Sequence, residues 1–162
     1  MKRTYGEQQE NDQPFRTFED LEVYKKARQF RKCMYSVTRK LPDFEKYEIS
    51  SQIRRASVSL TYNIAEGHGR YHYLEQLKFL FQARGSLQEL MDDLNVCQDE
   101  RYLPESEVLE LKDQAREVQR LISGYARYLR ARKFGSSLTV RETADEEGFV
   151  SELDLLFNHS TI

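Results

Sequence analysis

The sequence predicts an all-α fold, an antiparallel up-down-up-down four-helix bundle with a disordered N-terminus and an acidic C-terminal tail. Three observations carry that expectation. Four segments repeat apolar residues at steps of three and four, no segment sustains the two-residue alternation of a strand, and the links between segments are short. Amphipathic helices of similar length joined by short links bury their apolar stripes most directly as antiparallel neighbours.

Helix 1 is marked by Val23, Ala27, Phe30, Met34, Val37 and Leu41, with Thr17 as its N-cap and Pro42 as its stop. Helix 2 follows the stripe Ile49, Ile53, Ala56, Leu60 and Ile64, and Gly67 with Gly69 is expected to end it in the left-handed conformation. Helix 3 carries Leu80, Ala83, Leu87, Leu90, Leu94 and Cys97. Helix 4 begins near Pro104, which a first helical turn tolerates, and runs through Val108, Leu111, Ala115, Val118, Ile122, Tyr125 and Leu129. Each helix is expected to span about twenty residues, or about 30 Å at the standard rise.

With 162 residues, 39% of them apolar, the chain holds one domain's worth of core. Residues 17–133 form the expected bundle. Residues 1–16 are rich in Gln, Glu, Asn and Asp and bury too little to offset the entropy of ordering, so disorder is expected there. Residues 134–162 form the tail, in which Asp145-Glu146-Glu147-Gly148 precedes an apolar cluster, Phe149, Val150, Leu153, Leu155, Leu156 and Phe157, suited to dock as a short amphipathic helix. The net charge of -2 conceals this division: residues 17–140 hold 21 basic and 18 acidic groups, residues 141–162 one and six. No apolar run is long enough to span a membrane and the polar N-terminus does not read as a signal peptide, so a soluble cytoplasmic protein is expected. Cys33 and Cys97 fall within helical patterns and read as small reduced core residues.

Spaced motifs narrow the fold further. Gln52-Ile53-Arg54-Arg55-Ala56, Asn63-Ile64-Ala65-Glu66-Gly67, Gly85-Ser86-Leu87 and Glu89 stand in order between Phe18-Glu19-Asp20-Leu21-Glu22-Val23 upstream and Tyr102-Leu103 downstream. In these residues the chain resembles the family of four-helix-bundle proteins encoded in intervening sequences of bacterial 23S ribosomal RNA genes, over about Phe18 to Ala131. The accessory variability determinants of diversity-generating retroelements share that fold. The resemblance implies a ring-like homo-oligomer, specifically a pentamer, and suggests an accessory subunit for a reverse transcriptase and its template RNA. The chain departs from the family pattern at Thr61, where proline is frequent, so a kink in helix 2 is not expected. It departs also at His72 and Pro104, where a small hydroxyl residue commonly caps helices 3 and 4.

Function is expected on the outward faces. Val58, Tyr62, Leu74 and Phe81, with Gly85 allowing a close backbone approach, form the candidate oligomer interface on helices 2 and 3. Arg28, Lys32 and Arg39 on helix 1, edged by Tyr24, Arg31 and Tyr35, and Arg116, Arg120 and Arg127 on helix 4 form the candidate nucleic-acid-binding faces, able to meet phosphates and stack on bases. Solvated charge is the ordinary alternative for both faces. Asn63, Glu66, Arg70 and Glu89 are expected to share a structural hydrogen-bonded network. His68, His72 and Glu75 have a permissive metal-ligand spacing, but Gly69 interrupts it and no metal or other cofactor is expected. With no nucleophile elbow, phosphate-cradling loop or paired zinc motif, the expected role is non-enzymatic. It is an oligomeric binding protein for RNA, associated with a reverse transcriptase or another ribonucleoprotein, and the alternative is a protein-interaction scaffold with no nucleic-acid ligand.

Overall fold

The computed structural model describes residues 17–134, in which four helices gather around one core and no strand occurs. They are α1 (Glu22–Thr38), α2 (Ile49–His68), α3 (Tyr73–Asp99) and α4 (Glu105–Phe134). Two short 3₁₀ turns, Phe18–Asp20 and Asp43–Lys46, precede α1 and α2. The expected disorder at residues 1–16 and the acidic tail beyond Phe134 lie outside the described residues.

The apolar stripes are the core. Every residue named above for the four stripes is buried except Tyr125, which is half-buried. Phe30, Met34, Leu60, Ile64, Leu87 and Leu94 are sealed completely, each worth about 1.5–3 kcal/mol of transfer from water. α1 packs on α2 and α4, α3 packs on the same two, and the α2–α3 pair is the most extensive. No helix is long and apolar enough to cross a membrane among the described residues.

Local chemistry differs from expectation at several ends. Thr17 caps the first 3₁₀ turn rather than helix 1: its side chain accepts from the Glu19 amide at 3.1 Å and its own amide donates to Asp20 Oδ2 at 3.0 Å. α1 then starts behind Leu21, a residue with no capping oxygen but a side chain only 2% exposed. Hydrophobic anchoring sets that helix start. The helices are also unequal, at 17, 20, 27 and 30 residues. α3 begins at Tyr73, ahead of its apolar stripe, and α2 runs unbroken through Thr61.

Gly67 and Gly69 do not end α2 in the left-handed conformation. Gly69 has φ -77° in the right-handed region, and Gly67 lies inside the helix. A Cβ on Gly67 would stand 3.0 Å from Phe79 Cβ and 3.2 Å from the Gln76 carbonyl oxygen. Gly67 is thus where the backbones of α2 and α3 come close. The left-handed corner is elsewhere, at Arg101 after α3 (φ 59°), where the Tyr102 amide donates back to the Cys97 carbonyl at 2.9 Å. Tyr102 and Leu103 fix that corner: Leu103 is buried, and the Tyr102 hydroxyl donates to Glu45 Oε1 at 2.8 Å.

The two cysteines separate. Cys97 is fully buried, and its thiol is pushed up to about 11, by burial first and then by the charges of Asp93 and Glu45. Cys33 is only half-buried at the edge of the core, because it lies one position off the buried stripe of α1.

Candidate functional site

The turn between α2 and α3 concentrates the polar residues of the motifs. Glu66 and Arg70 form an ion pair one helical turn apart, the Arg70 guanidinium lies 5.0 Å from the Phe79 ring centroid, and the Gln76 side-chain amide donates to the Arg70 carbonyl at 2.5 Å. These contacts fasten the end of α2 to the start of α3. An open groove beside them is lined by Phe18, Tyr62, Ala65, Glu66, Gly69 and Arg70.

Asn63 belongs to a second, separate cluster. It is buried and donates to the Ser59 carbonyl at 2.9 Å and Ser59 Oγ at 3.1 Å, while Ser86 Oγ reaches Ser59 Oγ from α3 at 2.8 Å. Ser59 and Ser86 are the partners that sequence reasoning missed, although Ser86 stands inside the Gly85-Ser86-Leu87 motif. Glu89 joins neither cluster. It is exposed on α3 and acts on Asp93 through charge alone. The single network expected from Asn63, Glu66, Arg70 and Glu89 is therefore two clusters and an outlier, because helical rotation separates positions that the sequence places close together.

The candidate interface divides in the same way. Val58, Tyr62 and Leu74 are exposed by 46%, 61% and 56%, as an unpartnered apolar face requires. Phe81 corrects the expectation: it is half-buried and packs against the core, so a charge placed there would damage the bundle itself. Gly85 is exposed, with nothing within 4 Å of where a Cβ would stand. Gly85→Ala is therefore expected to raise the stability of the isolated bundle by about 1 kcal/mol, read as a higher urea midpoint. No gain would mean that the glycine is needed by the fold after all.

On α1, Arg28, Lys32 and Arg39 are exposed and make no ion pair among the described residues. Arg31 is turned inward, donating to Thr61 Oγ1 at 2.8 Å, and Tyr24 packs edge-on against Phe18 at 4.8 Å. Neither is free for a ligand. On α4, Arg120 and Arg127 are exposed and make no ion pair among the described residues, while Arg116 is held by Asp113 in the preceding turn. α1 and α4 are neighbours, bridged by Lys26–Glu117 at 2.9 Å and Lys40–Glu107 at 2.5 Å, so lysines and glutamates line the seam between them.

His68 ends α2, whereas His72 precedes α3, and His68 Nδ1 lies 3.3 Å from the Tyr125 hydroxyl. Burial lowers its pKa against an opposing pull from Asp20. Among the described residues no group of three metal-ligating side chains converges.

The profile of the 23S rRNA-intervening sequence protein family matches residues 19–124. The chain belongs to this family. No curated protein matches it. The span shared with the intervening-sequence proteins runs from the first 3₁₀ turn to Gly124 within α4 and contains the α2–α3 turn, both serine-linked helices and the α1 cations. Arg127 lies beyond it. Also within it lies Asp93, only 7% exposed, with no hydrogen-bond partner for Oδ2 among the described residues and the carboxyl raised to about 6. Burial is the main cause, then Glu89 and Asp92, against a lowering by Arg55.

Proposed function

We propose that this intervening-sequence protein is a non-enzymatic, self-associating RNA-binding bundle acting in the cytoplasm, without cofactor or metal, as an accessory to a ribonucleoprotein. The single observation that carries the reading is α1. The segment from Val23 to Lys40, α1 without its first residue and with the two residues that follow it, holds seven basic residues and no acidic one, and Arg28, Lys32 and Arg39 stand exposed with no ion pair among the described residues. A helix face of that kind meets phosphates at several points, and self-association would repeat it. Likeness to the retroelement accessory proteins gives the reading its concrete form: a pentameric partner of a reverse transcriptase and its template RNA.

The bundle in this proposal runs up-down-up-down. Ser59 meets Ser86 while Gly67 meets Gln76 and Phe79, Gln88 meets Gln119 while Asn95 meets Lys112, and Lys26 meets Glu117 while Lys40 meets Glu107. In each pair one number rises as the other falls, which supports alternating directions.

Fluorescence anisotropy on a labelled single-stranded RNA tests the ligand. Between 50 and 200 mM salt the affinity should fall by about 10²–10³-fold, since each neutralised phosphate releases counterions. Replacing Arg28, Lys32, Arg39, Arg116, Arg120 and Arg127 by serine should remove binding and the salt slope together. Equal affinity of wild type and variant, or no binding at low salt, favours the protein scaffold. That reading draws on the exposure of Phe44, Tyr47 and Tyr71, at 72%, 79% and 100%.

A further inference from the structure

We infer that the turn between α1 and α2 is a stacking platform for unpaired RNA bases, built from the rings of Phe44 and Tyr47. This rests on the RNA binding proposed above and adds a second kind of contact to it, with bases where the cations of α1 meet phosphates.

The aromatic residues beside the α1 cations are not available for that task. Tyr24 is half-buried against Phe18, and Tyr35 is half-buried as well. The open rings come directly after the helix. Phe44 and Tyr47 are largely exposed, and Arg39, the exposed cation at the end of α1, precedes Phe44 by five residues, at most about 18 Å of chain. Bases of a strand whose phosphates meet that end of α1 are within reach of both rings.

The turn is braced from three directions. The Glu45 amide donates to the Pro42 carbonyl at 2.9 Å, the Arg54 guanidinium from α2 donates to the Lys46 carbonyl at 3.0 Å, and the Tyr102 hydroxyl from the corner after α3 donates to Glu45 Oε1 at 2.8 Å. The rings are placed by the same residues. Phe44 meets the Tyr102 ring edge-on with centroids 6.4 Å apart, and Lys46 Nζ lies 5.3 Å from the centroid of the Tyr47 ring. Rings held in place before a ligand arrives lose little freedom when it stacks on them.

The polar surroundings favour a base over an apolar protein surface as the occupant. An apolar partner calls for a continuous patch, but Asp43, Glu45, Lys46 and Glu48 adjoin the two rings along the chain. From Arg39 to Glu48 the chain holds three basic and three acidic residues, so the turn adds no net attraction for phosphate. What it offers is separate ring faces among polar groups, which suits a flat base with a polar rim. In a duplex the base faces are already stacked on one another, so the platform selects single strands.

Fluorescence anisotropy of the full chain on labelled probes of equal length tests the platform: a single-stranded RNA, the same strand annealed to its complement, and an abasic strand with the same phosphates. Wild type is expected to bind the single strand at least about tenfold more tightly than the abasic strand at equal salt. Phe44→Ser with Tyr47→Ser should remove that preference while leaving the abasic strand, the duplex and the salt slope unchanged, because the phosphate contacts are untouched. Phe44→Tyr with Tyr47→Phe should keep the preference, as should Tyr71→Ser, an exposed ring at the other end of α2. Unchanged single-strand affinity in the serine variant overturns the platform and leaves the rings to a protein partner. A serine variant that loses all three probes alike also overturns it, by making the effect one of fold. Equal wild-type affinity for the single and abasic strands overturns the platform and leaves the phosphate contacts standing, whereas no binding of any probe at low salt overturns the RNA reading itself.

Discussion

Gly67→Val is expected to cost the bundle about 3 kcal/mol, a large share of the few kcal/mol that hold a domain of this size together. The space for its first carbon is already taken. The Cβ would meet Phe79 Cβ at 3.0 Å and the Gln76 carbonyl oxygen at 3.2 Å, and the second of these is backbone in the middle of a helical turn. Relief requires α3 to move off α2, and that is the most extensive contact in the molecule. A β-branched side chain adds two methyl groups to the same space. Urea unfolding followed by circular dichroism should show the loss, with Gly124→Ala as the control, since nothing lies within 4 Å of Gly124. An unchanged midpoint for Gly67→Val would mean that the close approach is not needed.

Asp93→Asn is expected to act in the opposite direction, stabilising the chain by about 2 kcal/mol at pH 7 and by almost nothing at pH 4. The carboxyl's pKa in the folded chain is about 6 against 3.8 ordinarily, so between those values the folded state holds a proton that the unfolded state has released. Stability therefore falls as pH rises from about 4 to 6 and stays reduced above. The groups acting on it are Glu89 and Asp92 on its own helix and Arg55 from α2, which only partly offsets them. Asparagine keeps the shape and removes the charge. Thermal unfolding of both proteins at pH 4 and pH 7 measures the difference, and parallel behaviour at the two pH values would refute the buried carboxylate as its source.

How much of this was legible in the sequence depended on whether one helix or two decided the matter. The stripes of α1, α2 and α4 are properties of single helices, and Val23 to Val37, Ile49 to Ile64 and Val108 to Ile122 read correctly. α3 was harder, because Leu74, Phe79 and Phe81 lie outside its buried stripe and blur the periodicity ahead of Leu80. Gly67 was misread for a stronger reason. A glycine near a helix end has the same appearance whether it turns the chain or admits a neighbour, and only the position of Phe79 distinguishes them. The polar motif misled likewise: Asn63 and Glu66 are three residues apart, yet one donates to Ser59 and the other pairs with an arginine at the turn.

The seam between α1 and α4 differs in kind from the other three. It joins segments far apart along the chain, 67 residues for Lys40 and Glu107, whereas Ser59 and Ser86 are separated by 27. Loop-closure entropy grows only with the logarithm of that separation, so bringing the ends together is not greatly penalised. What the seam lacks is strong fastening. Lys26–Glu117 and Lys40–Glu107 are exposed pairs worth little each, while the α2–α3 pair has interlocked backbones and buried hydroxyls. The helix that carries the cations is attached on its α4 side by the weaker bonds, so local opening is expected to start at that seam and to spare the pair that carries the family's motif.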